Sequence, residues 1–262
     1  MSNLEKRIRF ASDLARKAGR LALDYYKDIG ALTVVSKGVQ DMATEADINT
    51  ENLIRQAIEE QYPQDAFFGE ESNETYEPKA EGGVWVVDPI DGTQPFISSI
   101  PSWCISIAYI EDDSVRLGVI YDPCHDELFV AGKGMGAQNN GKAMSVSPAT
   151  SFAEGLVSVG YSNRVSPDAT LLPLARLMTE NGMFHRSGSG ALSLAYVAAG
   201  RLIGYFEPHM NVWDCAAGML LIEEAGGRAI NFFDNQDYLK KGGLVVGATK
   251  GVYPALLAIV EG

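Results

Sequence analysis

The stretch Trp85 to Phe96, WVVDPIDGTQPF, decides how the rest of the chain is read. Three apolar residues run directly into two aspartates three positions apart, with a proline between them and Gly-Thr behind. The apolar run predicts a buried strand, and Asp88-Pro89-Ile90-Asp91-Gly92-Thr93 predicts a sharp turn that presents two carboxylates. Carboxylates at the end of a buried strand are costly unless something neutralises them. They offer ligands to a cation, while the residues after Gly92, which can begin a helix, offer backbone N–H groups to an anion at the same place. That combination suits a metal-bridged phosphate.

Working outward, other acidic residues also stand at the ends of predicted elements. Glu70 and Glu71 follow Phe67–Phe68 in GEES (69–72), Asp214 opens a helical run after NVW (211–213), and Asp47 lies near a helix start in TEAD (44–47). Singly, a Glu-Glu pair reads as a solvated loop and an aspartate at a helix start as an N-cap. Brought together, they would repel one another and raise each other's pKa unless cations sat among them. Oxygen ligands with no histidine or cysteine nearby suit magnesium or manganese over zinc.

Composition frames these motifs. The chain has 262 residues, 46% of them hydrophobic, enough for one large domain or two packed lobes. No apolar run approaches the roughly 20 residues needed to span a bilayer, and the N-terminus alternates charged with apolar residues. A cytoplasmic protein without a membrane partner is expected. A net charge of -13 argues against nucleic acid as partner. Cys104, Cys124 and Cys215 are widely spaced and read as buried thiols.

Helical periodicity runs over 4–27, 47–61, 169–180, 189–199, the segment from Trp213, and 253–260; strands are predicted at 31–37, 67–68, 84–87, 104–110, 116–121, 156–161, 203–207 and 243–249. The acidic turn EDDS (111–114) predicts an antiparallel hairpin, so the first half reads as mostly antiparallel sheet. The expected fold class is layered α/β.

GEES, WVVDPIDGT and WDCAAGMLLIEEAGG (213–227), with TEAD upstream, resemble in order and spacing the signature motifs of the inositol monophosphatase family of magnesium-dependent, lithium-sensitive phosphatases. The likeness covers nearly the whole chain. It implies an α-β-α-β-α layered fold, shared with fructose-1,6-bisphosphatase, as a single domain over 1–262 with lobes of about 1–150 and 151–262. It implies two or three magnesium ions held by Glu70, Asp88, the Ile90 carbonyl, Asp91 and Asp214, and a homodimer. Glu71 and Thr93, with Asp47 behind the threonine, would activate water. Gly92 and Thr93 would hold phosphate, while Gly188, Ser189, Gly190, Glu207 and Asp214 would face the alcohol, Asp214 also guiding a proton to it. Magnesium would also let so acidic a protein receive an anion.

The resemblance makes the expected activity hydrolysis of a small polyol phosphate, with inositol 1-phosphate the first choice. Histidinol phosphate, fructose 1,6-bisphosphate and 3'-phosphoadenosine 5'-phosphate are alternatives, and a non-catalytic regulator of the transcription or translation machinery is another. A bisphosphate calls for added cations, for which Arg164, Arg186 and Arg201 are candidates. The chain departs from the family at Gln94-Pro95, where Asn-Phe usually follows one free position, and His209 and Met210 could alter the pocket lip. The surroundings of Ser189 do not fit G-x-S-x-G, and the glycines at 132, 134 and 136 do not complete G-x-G-x-x-G.

Overall fold

The structure, a computed structural model, describes residues 2–31, 34–38, 41–72, 79, 82–234 and 237–262. In chain order the first half holds α1 (Asn3–Lys27), β1 (Val34–Gly38), β2 (Asp41–Thr44), α2 (Glu45–Gln61), β3 (Ala66–Gly69), β4 (Val84–Asp91), α3 (Thr93–Ile97), β5 (Cys104–Glu111), β6 (Ser114–Asp122), β7 (Glu127–Gly132), β8 (Ala137–Asn139) and β9 (Lys142–Ala143). The second half holds β10 (Leu156–Val159), α4 (Asp168–Thr179), β11 (Met183–His185), α5 (Gly190–Ala198), β12 (Gly204–Met210), α6 (Val212–Glu224), β13 (Arg228–Ala229), α7 (Tyr238–Lys241), β14 (Gly243–Ala248) and α8 (Tyr253–Glu261).

Strands β3 to β9 pair in sequence order into a seven-stranded sheet. It is antiparallel except for β3 beside β4. The acidic hairpin forms as expected between β5 and β6, and Asp112 and Asp113 both take φ near +50°, the left-handed pair that suits the twist of a tight hairpin. A second, mixed sheet has the order β11-β10-β12-β14-β13. The strand expected at 31–37 is seen as β1 from Val34; positions 32 and 33 lie outside the described residues.

Period-two burial assigns the layers. Trp85, Val87, Ile105, Ile107 and Tyr109 face α1 and α2, while Val84, Val86, Ala108 and Ile110 face α5 and α6 on the other side. Buried on both faces, β4 shows no alternation in its sequence. Helix α6 is buried nearly all round because it lies between the two sheets. Gly118 makes its close approach possible, since a Cβ there would stand 2.6 Å from the Ala217 carbonyl oxygen. On the outer face of the second sheet, α4 packs on α8. The layers therefore run α-β-α-β-α. No described helix is long and apolar enough to cross a membrane.

Candidate functional site

The two sheets and the middle helix layer meet where β4 ends. Strand β4 leaves its regular register between Asp88 and Asp91, and that break turns both carboxylates toward α5 and α6. Asp88 is 2% exposed, and its Oδ1 accepts the Ile90 N–H at 2.9 Å, which closes the turn. Gly92 then takes φ +96°; a Cβ there would be both strained and 2.9 Å from the Ser102 carbonyl oxygen. Helix α3 begins at Thr93, and its third residue is the buried Pro95, whose missing N–H falls among those with no intrahelical acceptor. Phe96 anchors the segment between Tyr26 and Trp103, with ring centroids 5.4 and 4.9 Å away.

Asp91 meets the start of α5. Its Oδ2 accepts the Ala191 N–H at 2.7 Å and the Ser189 hydroxyl, and the Cys104 thiol lies at 3.8 Å. Ser189 is the N-cap of α5, with its Oγ also accepting the Leu192 N–H at 3.2 Å. The hydroxyl expected to meet substrate is thus tied to Asp91 and to the helix. Behind it, Ser187, Ser193 and Ser158 form a chain of hydroxyls, with Oγ separations of 2.8 and 3.2 Å. Asp214 arrives from the first turn of α6, where its Oδ2 accepts the Asn211 N–H at 2.9 Å.

One carboxylate oxygen from each of Asp88, Asp91 and Asp214 lies within 4.8 Å of the others. Burial first, then repulsion from Glu70, Asp91, Asp214 and Asp47, holds the Asp88 carboxyl well above the usual carboxylate range. Burial also raises Asp91, against the hydrogen bonds that favour its charge. Asp214 is pushed up to about 7 by burial and by Asp91, opposed by the Asn211 N–H and Arg164. A hard divalent cation fits this donor set, because it would return all three groups to the ionised form the protein alone disfavours.

These residues floor a cavity of about 140 Å³ that Glu70, Ile90, Gly92, Thr93, Gly188, Gly190 and Glu207 also line. Glu207 sits on β12, accepts the Tyr205 hydroxyl and is raised to about 8, by burial first and then by Asp214 and Asp91 against that bond and Arg186. A Cβ at Gly190 would stand 2.5 Å from Met210 Cε, so this glycine leaves room for the methionine in the wall. His209 turns elsewhere, its Nε2 lying 2.8 Å from the Lys241 carbonyl oxygen.

Two expected residues are not among the described residues that line the cavity. Asp47 is buried in the first turn of α2, where its Oδ2 accepts the Thr44 N–H at 2.8 Å and its Oδ1 faces the Thr93 hydroxyl at 3.3 Å. Among the described residues, the cavity wall takes Glu70 and not Glu71. Glu71 is tethered through its backbone N–H to Glu51 Oε2 at 2.8 Å, and Glu51 pairs with Arg55 at 3.0 Å. Sequence reasoning missed Glu51; its trace there is the Glu-x-x-x-Arg spacing on α2. Of the three arginines considered for a second anion, Arg201 is paired with Glu127, while Arg164 and Arg186 line the cleft.

Known proteins place the geometry in a family. The profile of the inositol monophosphatase family matches residues 3–262. Nus factor SuhB of Escherichia coli strain K12 is 38% identical over 253 residues, covering 96% of this chain and 94% of that one. The crystal structure of extragenic suppressor protein suhB from Bartonella henselae superposes with a TM-score of 0.89 at 30% identity, covering 98% of both chains. A Thermotoga maritima IMPase superposes with a TM-score of 0.85 at 30% identity, covering 98% of this chain and 97% of that one. With the motifs, the layered fold and the profile in agreement, this chain belongs to the inositol monophosphatase family.

Proposed function

We propose that the protein is a phosphomonoesterase that uses two or three magnesium ions to hydrolyse the phosphate ester of a small polyol, with inositol 1-phosphate the first substrate to test. Its family is one of metal-dependent phosphatases of small phosphate esters. The observation that carries the reading is the convergence of Asp88, Asp91 and Asp214 within 4.8 Å on the floor of a cavity whose wall continues into Gly92 and Thr93. Glu70, Asp88, the Ile90 carbonyl, Asp91 and Asp214 would hold the metal. When bound, magnesium supplies Lewis-acid polarisation of the phosphate and an acidified water.

The chain's own groups then have distinct tasks. The Thr93 hydroxyl, held toward Asp47 Oδ1, takes a proton from the attacking water and relays it to the carboxylate. Glu71 orients that water, on a turn whose backbone Glu51 fixes. The Gly92 and Thr93 N–H groups bind phosphate oxygens, as N–H groups at a helix start have no intrahelical acceptor. Glu207 accepts polyol hydroxyls, with Gly188, Ser189 and Gly190 forming the facing wall. Asp214 guides a proton to the departing alkoxide. Lithium inhibition and a homodimer are part of the same reading.

Phosphate release from inositol 1-phosphate, histidinol phosphate, fructose 1,6-bisphosphate and 3'-phosphoadenosine 5'-phosphate tests it. Release that requires magnesium and stops with chelator is the expected result; release from none of them overturns the reading. The likeness to a protein named a Nus factor supports a second reading, a regulatory role, which that failure would favour.

A further inference from the structure

We propose that Tyr205 is a positioning residue for substrate selectivity: its hydroxyl fixes the Glu207 carboxylate so that one oxygen is kept for a hydroxyl of the substrate's alcohol half. This rests on the polyol-phosphate reading above. Tyr205 and Glu207 stand two apart on β12, so both side chains leave the same face of the strand, toward α5 and the cavity they line together. Phe206 between them points the other way, into the core under α4 and α8.

The Tyr205 ring is 2% exposed and packs in the layer between the two sheets. A phenylalanine would fill that space as well, so packing accounts for the ring and not for the hydroxyl. A buried hydroxyl is costly without a partner, and this one donates to Glu207 Oε2. Two glycines make the arrangement possible. A Cβ on Gly160 would overlap the same Oε2, and one on Gly190 would stand 3.0 Å from the Tyr205 hydroxyl oxygen. The carboxylate is thus seated between a hydroxyl and bare backbone. Its Oε2 is taken by the tyrosine, and Oε1 is the oxygen left to meet a ligand.

Charge alone does not give this orientation. Asp214 and Asp91 repel the Glu207 carboxylate and Arg186 attracts it, but these forces act over distance and leave it free to turn. Holding a long, rotatable side chain in place before substrate arrives removes an ordering cost from binding. A site built to accept a substrate hydroxyl's hydrogen also rejects an analogue without it, because the acceptor is then left buried and unpaired. The tyrosine therefore sharpens discrimination through Glu207.

The test compares kcat/KM for inositol 1-phosphate with that for cyclohexyl phosphate, the same ring without its hydroxyls. In the wild type with magnesium the polyol ester should lead by about a hundredfold or more. Tyr205→Phe, which keeps the ring, should lower that ratio by about tenfold, mainly through the KM of inositol 1-phosphate. Gly160→Ala, which pushes the carboxylate from its seat, should lower it too. A merely structural loss would lower both compounds alike and leave the ratio where it was. In Glu207→Ala the further change Tyr205→Phe should leave the ratio nearly unmoved, since the tyrosine acts through the glutamate. A ratio near one in the wild type, a ratio that Tyr205→Phe does not move, or an equal loss from Tyr205→Phe with and without Glu207 overturns this inference and leaves the phosphomonoesterase reading standing. Release from neither compound overturns the inference, and the phosphomonoesterase reading with it when the other three esters also fail.

Discussion

Strand β4 has a buried aspartate near each end, and the protein treats the two in opposite ways. At its start, Asp65 accepts the Trp85 indole N–H at 2.9 Å and pairs with Arg7, whose guanidinium lies 4.1 Å from the Tyr62 ring and 4.3 Å from the Tyr109 ring. At its other end Asp88 is as deeply buried, yet its neighbours are Glu70, Asp91, Asp214 and Asp47. The first carboxylate is neutralised by the fold and holds α1 to the sheet. The second is left for something the chain does not contain, and stability is given up to keep it available.

The largest expected effect breaks the second end. Asp88→Asn should lower magnesium-dependent phosphate release by about a thousandfold or more, since it removes a metal ligand. In chelator the same variant should melt no lower than the wild type, because it also removes a repelling charge. Breaking the first end should do the reverse. Arg7→Ala leaves Asp65 buried and unpaired and should cost about 3–5 kcal/mol in urea unfolding, with kcat per folded molecule unchanged. If Arg7→Ala abolished turnover while keeping its stability, the contrast between the two ends would be wrong.

Smaller effects sharpen the picture. Ser189→Ala removes both the cap of α5 and a hydrogen bond to Asp91; a loss of about 1 kcal/mol in stability is expected, with turnover reduced several-fold. Unchanged turnover would mean that the Gly190 and Ala191 N–H groups hold Asp91 without the hydroxyl. The mildest test is pH. Glu207 is raised from 4.5 to about 8, so between those values the folded, metal-free protein binds a proton that the unfolded chain has released. Stability should therefore fall as pH rises through that window. Glu207 contributes less than about 1.4 kcal/mol per pH unit to a fall shared with the raised Asp88, Asp91 and Asp214, and Glu207→Gln should make the slope shallower by that share. Melting temperatures of chelated protein at pH 5 and pH 8.5 check this.

Much of this was legible because it is local. The turn of Asp88 to Thr93, the hairpin at Asp112–Asp113 and the helix from Trp213 follow from runs of a few residues, as does the layered class from the alternation of elements. That β4 runs on through a register break to Asp91 and that α6 is buried nearly all round were not read. Elements of two to four residues, β9, β11, β13 and α7, carried too little periodicity to be read. The start of α2 was placed two residues late because Thr44 and Asp47 cap it together, so Asp47 is a third helical residue rather than an opening one.

The sequence by itself determined that Asp88 and Asp91 sit on one turn, that Gly92 must follow them, and that the chain alternates helix and strand in one layered fold. Tertiary structure alone decided which distant groups meet there. Sequence spacing cannot say that Asp214 lies within reach of Asp88, that Ser189 bonds to Asp91, that Glu51 tethers the Glu70–Glu71 turn, or that Arg201 pairs with Glu127 while Arg164 faces the cleft. The reason is physical. A turn is set by the dihedral preferences of the residues in it, but the partner of a charge is set by packing, and packing brings together residues over a hundred positions apart.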